Sequence, residues 1–303
     1  MAITLFNSNK NKSAKATSGN GSEATIWIEQ KQGNVIFHVG YDKNGLEERM
    51  EYMIPNMVNM DLEILIQKAA DFNNELKFRN VTIASATVAL DKVFIQHEFL
   101  EFPKLAKKEI IHSRDQSLME LYPKYPNDYV IVMNETPTKN GYIEDNYLLK
   151  KSEYEKIIFF IKQTGIRVIN MIDLSEALTG ARFNDQSIII AIESQNTVVM
   201  VKSDNKVKAY IPINTGYSIF RESTTEAQAY FKQLDDLYDR CSYLLPEDAK
   251  VYIYFDKETN SLEQQMLYNA AFPANFIIEK TTFHELIKAC VRPKLVFPMD
   301  IQL

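Results

Sequence analysis

Glycine is scarce in this chain, with nine in 303 residues. Loops that cradle phosphates spend glycine so that bare backbone N–H groups can approach the anion. The shortage therefore weighs against an enzyme that grips phosphate. Cysteine is rarer still. Cys241 and Cys290 are far apart and have no ligand spacing, which excludes a disulfide framework and fits buried free thiols in a reducing compartment. No apolar run reaches the roughly 18–20 residues that span a bilayer, and no charged-then-apolar leader stands at the start, so a cytosolic chain is expected. Positive charge is not in excess either: 34 Lys and Arg stand against 40 Asp and Glu, for a formal net charge of −6. Binding to nucleic acid through counterion release needs a concentrated basic surface, so no nucleic-acid partner is expected. The Walker loop and the G-x-S-x-G elbow are missing. His38, His97, His112 and His284 fall in separate elements with no metal spacing to Asp, Glu or Cys.

What is present is ordinary globular material, 46% hydrophobic and 24% charged, enough for one large core or two medium ones. Residues 7–23, NSNKNKSAKATSGNGSE, have little to bury and read as a basic, flexible arm behind a short apolar tip, MAITLF. The tip is either a plain terminus or a small docking element. From 24 to 54 the pattern alternates, with Ile26, Ile28, Val35, Phe37 and Val39 marking half-buried strands. Gly33-Asn34 and Asn44-Gly45 supply turns of positive φ. Trp27 reads as core. A helix over 59–76 follows, with Leu62, Leu65, Ile66 and Ala69 as its apolar stripe and Asn59 or Asp61 as its cap.

Strands are predicted at 81–85, 93–99, 129–135 and 166–171, with a polar hairpin at 137-PTKNG-141. An amphipathic helix follows Pro103; its 104-KLAKK-108 cluster is a solvated face or a contact for anionic lipid or an acidic partner. Ser152 and Glu155 form a capping box for the helix 153–164, whose buried stripe is Tyr154, Ile157, Ile158 and Ile161 and which Gly165 ends. A short helix, DLSEAL, comes next. A second meander begins at Ser187 and repeats the first: strand, turn, strand, turn, strand, with Glu193 placed as Glu29 is. After a capping box of Ser223 and Glu226, Ala227, Tyr230, Phe231, Leu234, Leu237, Tyr238 and Cys241 mark a long helix. Strands at 250–255 and 276–279 and helices at 261–272 and 282–290 complete the chain. Two copies of one three-stranded unit, each followed by helices and strands, predict a mixed α/β fold made by duplication.

That duplicated βββαβα unit resembles the actin, Hsp70 and sugar-kinase fold, which is ribonuclease H-like in each lobe. Within it the chain is similar to the type IV pilus assembly protein family PilM and its relatives FtsA and GspL. Three stretches carry the likeness: the "LFNSNKNK" opening, the strand pair closing on "EFP" before a helix that runs into "YPKYP", and residues 147–178. The resemblance implies an arm at 1–23, a first lobe at 24–80 plus 166–185, an inserted subdomain at 81–165 and a second lobe at 186–303. It also implies a site on the cytoplasmic side of the bacterial inner membrane. The partners would be a bitopic PilN-like membrane protein or a downstream segment of the same polypeptide, the assembly ATPase and platform protein, and, as a further option, a second copy of the chain.

Nucleotide-binding members of that superfamily place an aspartate at the end of each lobe's first strand, before a glycine-bearing turn. Here the positions hold Glu29 and Glu193, followed by Gln30 and Ser194, and the strand 251–255 runs into 256-DKETN-260 where those members carry a glycine pair. The loss of all three expects no cofactor and a non-catalytic scaffold. Glu29 and Glu193 would then be structural carboxylates. The alternative is an active ATP- and Mg²⁺-binding, actin-like switch that keeps them as ligands. For the scaffold, an extended peptide would be held near 81–135, with Phe99, Phe102, Tyr122 and Tyr125 as aromatic anchors. The last residues, "MDIQL", are similar to the start of the peptide that PilN offers. They suggest either a longer polypeptide continuing toward a membrane segment or a final edge strand.

Overall fold

The computed structural model describes residues 4–6, 21–180, 186–193, 195–203, 206–219, 224–245, 249–255, 276–290, 293 and 295–300. The chain divides into two compact units, Met1–Leu174 with Pro293–Leu303, and Ser175–Arg292.

The first unit opens with a three-residue strand, β1 (Thr4–Phe6). Then β2 (Ser22–Lys31), β3 (Asn34–Lys43) and β4 (Leu46–Pro55) form the expected antiparallel meander. Its turns are two residues long. Gln32 and Gly33 have φ of 52° and 81°, and Asn44 and Gly45 have 56° and 81°. The first turn is thus one residue earlier than predicted, and Asn34 already belongs to β3. The helix α1 (Leu62–Phe78) buries Leu65, Ala69, Phe72 and Leu76, a stripe spaced for one helix face. Leu62 and Ile66, predicted in that stripe, are 44% and 47% exposed. The buried face is set by Phe72, whose ring packs edge-on against Tyr52 and Phe160. Asp61 occupies the cap position without a side-chain cap bond.

The strand β5 (Ile83–Leu90) runs parallel to β2 in the middle of this first sheet. Residues 81–90 therefore belong to the first lobe rather than to the insert, because they complete the ladder that β2 would otherwise leave open. The insert proper contains β6 (Ile95–Pro103), α2 (Lys107–Leu121), β7 (Tyr129–Pro137) and β8 (Gly141–Lys150). Its four-stranded sheet has the order β1-β7-β8-β6. Gly141 is forced here: a Cβ on it would lie 1.9 Å from the Phe102 carbonyl oxygen. α3 (Lys151–Thr164) returns to the first lobe and packs its predicted stripe, with Phe160, into the same core as α1. It starts at Lys151, so Ser152 lies inside the first turn and is not its cap; Gly165 ends it in the left-handed conformation, φ 76°. β9 (Arg167–Asp173) closes the first sheet, in the order β4-β3-β2-β5-β9.

A short helix, α4 (Leu174–Thr179), follows β9, and the second unit, from Ser175, repeats that sheet. β10 (Ser187–Ile192), β11 (Thr197–Ser203), β12 (Lys206–Ile213), β13 (Lys250–Phe255) and β14 (Phe276–Lys280) stand in the order β12-β11-β10-β13-β14, with two antiparallel and two parallel pairings in the same places. The helix Thr224–Ser242 buries Ala227, Tyr230, Leu234 and Cys241 against the sheet, with Phe231, Leu237 and Tyr238 alongside. A short helix, Phe283–Ala289, follows β14. The predicted helix 261–272, the residue Ser223 and the turn 256–260 lie outside the described residues.

The segment 293–300 packs on the first unit, not the second. Leu295 and Phe297 are 2% and 1% exposed in the first core, and the Phe297 N–H donates to the Met171 carbonyl at 2.7 Å. The described part of this segment is irregular backbone rather than an edge strand. Among the described residues, no helix is long and apolar enough to cross a membrane.

Candidate functional site

In open α/β sheets, ligands gather beyond the carboxyl ends of parallel strands. In the first unit those ends carry Glu29 on β2, Asp91 after β5 and Asp173 on β9. Each is buried or nearly so, at 8%, 7% and 4% exposure. Each is also engaged. Glu29 Oε1 lies 3.1 Å from His38 Nε2. The register explains the meeting: His38 stands directly beside Trp27 on β2 and Glu51 on β4, on the sheet face opposite the α1–α3 core. Trp27 stacks on the His38 ring at 3.7 Å, and His38 Nδ1 lies 3.2 Å from Glu51 Oε1. Burial opposes a charge on His38, but its hydrogen bonds to Glu29 and Glu51 outweigh that and raise its pKa. Asp91 accepts the Val93 N–H at 3.0 Å, and Asp173 Oδ2 lies 3.3 Å from the Lys92 ammonium. The sequence analysis missed these last residues. "LDK" at 90–92 and "ID" at 172–173 close apolar runs, and that is the signal a charged strand end leaves.

The turn after Glu29 is closed tightly. Ladder pairing continues to Lys31 beside Asn34, so only Gln32 and Gly33 stand outside it. A phosphate cradle needs several successive N–H groups turned toward one point, and a two-residue hairpin turn offers no such run. In the second unit, Glu193 follows β10. Its Oε1 accepts the Phe283 N–H at 2.8 Å, at the start of the helix Phe283–Ala289. Thr282 accepts the Glu285 N–H at 3.1 Å. Together they satisfy two N–H groups that a helix start leaves open. Among the described residues, no group of three or more His, Cys, Asp or Glu could hold a metal ion. Cys241 and Cys290 carry free thiols; burial pushes the Cys290 pKa up to about 11.

The four proposed aromatic anchors do not form one surface. Phe102 and Tyr125 are 9% and 5% exposed, so they are part of the packing rather than open contacts. Tyr125 donates to Asp115 Oδ1 at 2.7 Å. Tyr122 is half-buried, tilts against Tyr129 and donates to Glu98. Phe99 is 41% exposed, and strand alternation puts it on the sheet face opposite Phe102's neighbours Leu100 and Glu98. The aromatic residues were visible in sequence, but their burial depends on α2 crossing the sheet, which only the fold supplies.

The edge of the insert sheet is a more definite feature. β1 pairs in parallel with β7, Thr4 beside Ile131, Leu5 beside Val132 and Phe6 beside Met133. The tripeptide Thr4-Leu5-Phe6, from a remote part of the chain, is thus added as a strand to this edge, in the manner of strand augmentation.

No protein-family model matches the chain, and no curated protein matches it. Solved structures do. One chain of the PilM–PilN type IV pilus biogenesis complex covers 87% of this chain and 89% of its own length at a TM-score of 0.51 and 11% identity. The cytoplasmic domain of EpsL, an inner membrane component of the type II secretion system of Vibrio cholerae, covers 83% and 97% at 0.44 and 11%. A Bacteroides thetaiotaomicron protein with an actin-like ATPase fold covers 88% and 96% at 0.40 and 9%. The likeness to the first is one of fold. With the twice-repeated sheet order, it makes this chain a duplicated, actin-like α/β protein.

Proposed function

We propose that this chain is a non-catalytic, actin-like scaffold that binds an extended segment of a bitopic membrane protein at the edge of β7. The setting is the cytoplasmic face of a bacterial inner membrane, in a type IV pilus or type II secretion assembly. The observation that carries the reading is the parallel pairing of β1 with β7. It supports this edge as the docking place and a short, extended, largely apolar segment as its occupant. A partner strand displaces β1 and takes over its backbone hydrogen bonds to β7. The PilM fold occurs in a complex with PilN, which supports a peptide-carrying membrane partner. The assembly ATPase and platform protein are the remaining contacts on this reading.

The closed Gln32–Gly33 turn and the commitment of Glu29 to His38 and of Glu193 to a helix start support a chain that does not hold ATP and Mg²⁺. The test is photo-crosslinking in the producing cell. A crosslinking residue at Asn134 on β7 should capture a protein with one membrane span and a cytosolic peptide. The same probe at Lys77, on the exposed surface of α1, should not. Equal capture from both positions, or none from Asn134, refutes the reading.

A further inference from the structure

Between α2 and the sheet face made by β7 and β8 lies a cavity of about 120 Å³. Small-molecule sites start at about 300 Å³, and an engineered cavity of about 150 Å³ takes benzene. The space suits one side chain, not a cofactor. Leu105, Ile110, Ile111 and Tyr142 give it apolar walls. Glu144 lines it from β8, is 3% exposed, and among the described residues its Oε2 accepts no hydrogen bond. An acceptor covered in this way costs stability until a donor reaches it.

Arg114 also lines the cavity but is already committed. Its Nε and Nη2 donate to Asp115 Oδ1 at 2.9 and 2.7 Å, and its Nη1 to Met133 Sδ at 2.8 Å. Lys107 and Arg114 supply two positive charges to the lining, and Glu135 and Glu144 two negative ones. With Arg114 paired to Asp115, the remaining balance is acidic. Burial, chiefly, raises the Glu144 pKa, and Glu135 adds to it against the pull of Arg114.

We propose that this cavity receives one basic side chain, arginine or lysine, from an extended partner segment. The aliphatic stem lies along Leu105, Ile111 and Tyr142, and the cationic head donates to Glu144. The register places such a residue. A strand added in parallel to β7 with one residue beside Met133 has its residue two places later beside Glu135, on the same sheet face. Met133 and Glu135 both line the cavity. The inference rests on the strand-edge reading above and adds a preference to it: a basic residue two positions after the apolar one beside Met133.

The test uses the full chain and three small probes, n-butylguanidinium, n-butylammonium and butyrate, followed by amide chemical shifts at Ile111, Met133 and Glu144. The two cations should shift these amides saturably with millimolar affinity, and butyrate should not. Glu144→Gln should weaken the cations by about tenfold or more. Ile111→Trp, which fills the cavity, should abolish their binding and keeps the test standing if Glu144→Gln fails to fold. Equal binding of butyrate, unchanged affinity in Glu144→Gln or in Ile111→Trp, or no saturable shift with either cation overturns the proposal. The probes carry no strand-forming backbone. Probe binding without a crosslink at Asn134 would fault the edge reading alone, and a crosslink without probe binding would fault this inference alone.

Discussion

Glu193→Ala separates the two roles that a strand-end carboxylate can have. If Glu193 is a helix cap, the substitution exposes the Phe283 N–H, which now donates to Oε1 at 2.8 Å. Losing an N-terminal cap costs about 0.5–2 kcal/mol, and a hydrogen bond to a charged group contributes about 1.5–3 kcal/mol. The expected loss is about 1–2 kcal/mol, local to the second unit. Glu193→Gln keeps an acceptor oxygen and forfeits only the charge at the helix start, about 0.3–1 kcal/mol, so it should recover roughly half. A two-unit chain need not unfold in one step, so the assay is hydrogen exchange at Phe283 and Glu285 rather than a global melt. Exchange there should quicken about tenfold in Glu193→Ala, since about 1.4 kcal/mol is a factor of ten, and less in Glu193→Gln. Unchanged exchange, together with loss of a nucleotide response that the wild type possesses, would refute the capping role and make Glu193 a ligand.

Other substitutions test the packing. Gly141→Ala should cost about 3 kcal/mol by overpacking, because its Cβ would meet the Phe102 carbonyl at 1.9 Å; urea unfolding would measure it. Gly33→Ala, where nothing lies within 4 Å but φ is 81°, should cost only about 1–2 kcal/mol. Phe297→Ala should destabilise the first unit by about 3–5 kcal/mol, while Phe99→Ala, at 41% exposure, should change stability by under about 0.5 kcal/mol. The His38 cluster gives a pH dependence. Because the folded-state pKa of His38 is raised from 6.5, its contribution is complete below pH 6.5 and is lost as pH rises through the folded value. Glu51, lowered from 4.5 mainly by its bond to His38, contributes above pH 4.5 and loses that contribution as pH falls through its folded value. Trp27 fluorescence, read during urea unfolding across this range, should show both slopes, and His38→Gln should flatten them.

The duplication was readable because both meanders set apolar strands between short polar turns, alternating from Ile26 to Val39 and running unbroken and buried over Ser187–Ile192 and Thr197–Ser203. The helix Thr224–Ser242 was readable for a similar reason: all seven of its predicted apolar positions lie against the sheet. Pairing across long separations was not readable. Nothing local in 83-IASATVAL-90 says that it lies beside β2, and that one pairing moved the insert's boundary. The tail misled in the same way, since Leu295 and Phe297 look like a terminal strand until the core of the first unit is seen to take them. At the site, Glu29 and Glu193 stand out in sequence as strand-end carboxylates, but their partners lie 9 and 90 residues away, at His38 and Phe283. Spacing alone does not reveal such contacts. The burial of Phe102 and Tyr125 was not readable either, because an aromatic residue beside a helix serves a core as well as it serves an interface.

The proposed scaffold role requires that the chain does not bind nucleotide. The most direct measurement is the melting temperature of the full chain with and without Mg-ATP at a concentration about 100-fold above a micromolar-range Kd, where a bound nucleotide would add about 2.7 kcal/mol. The account predicts a melting curve that does not move. A saturable rise, abolished by Glu29→Gln, would contradict it.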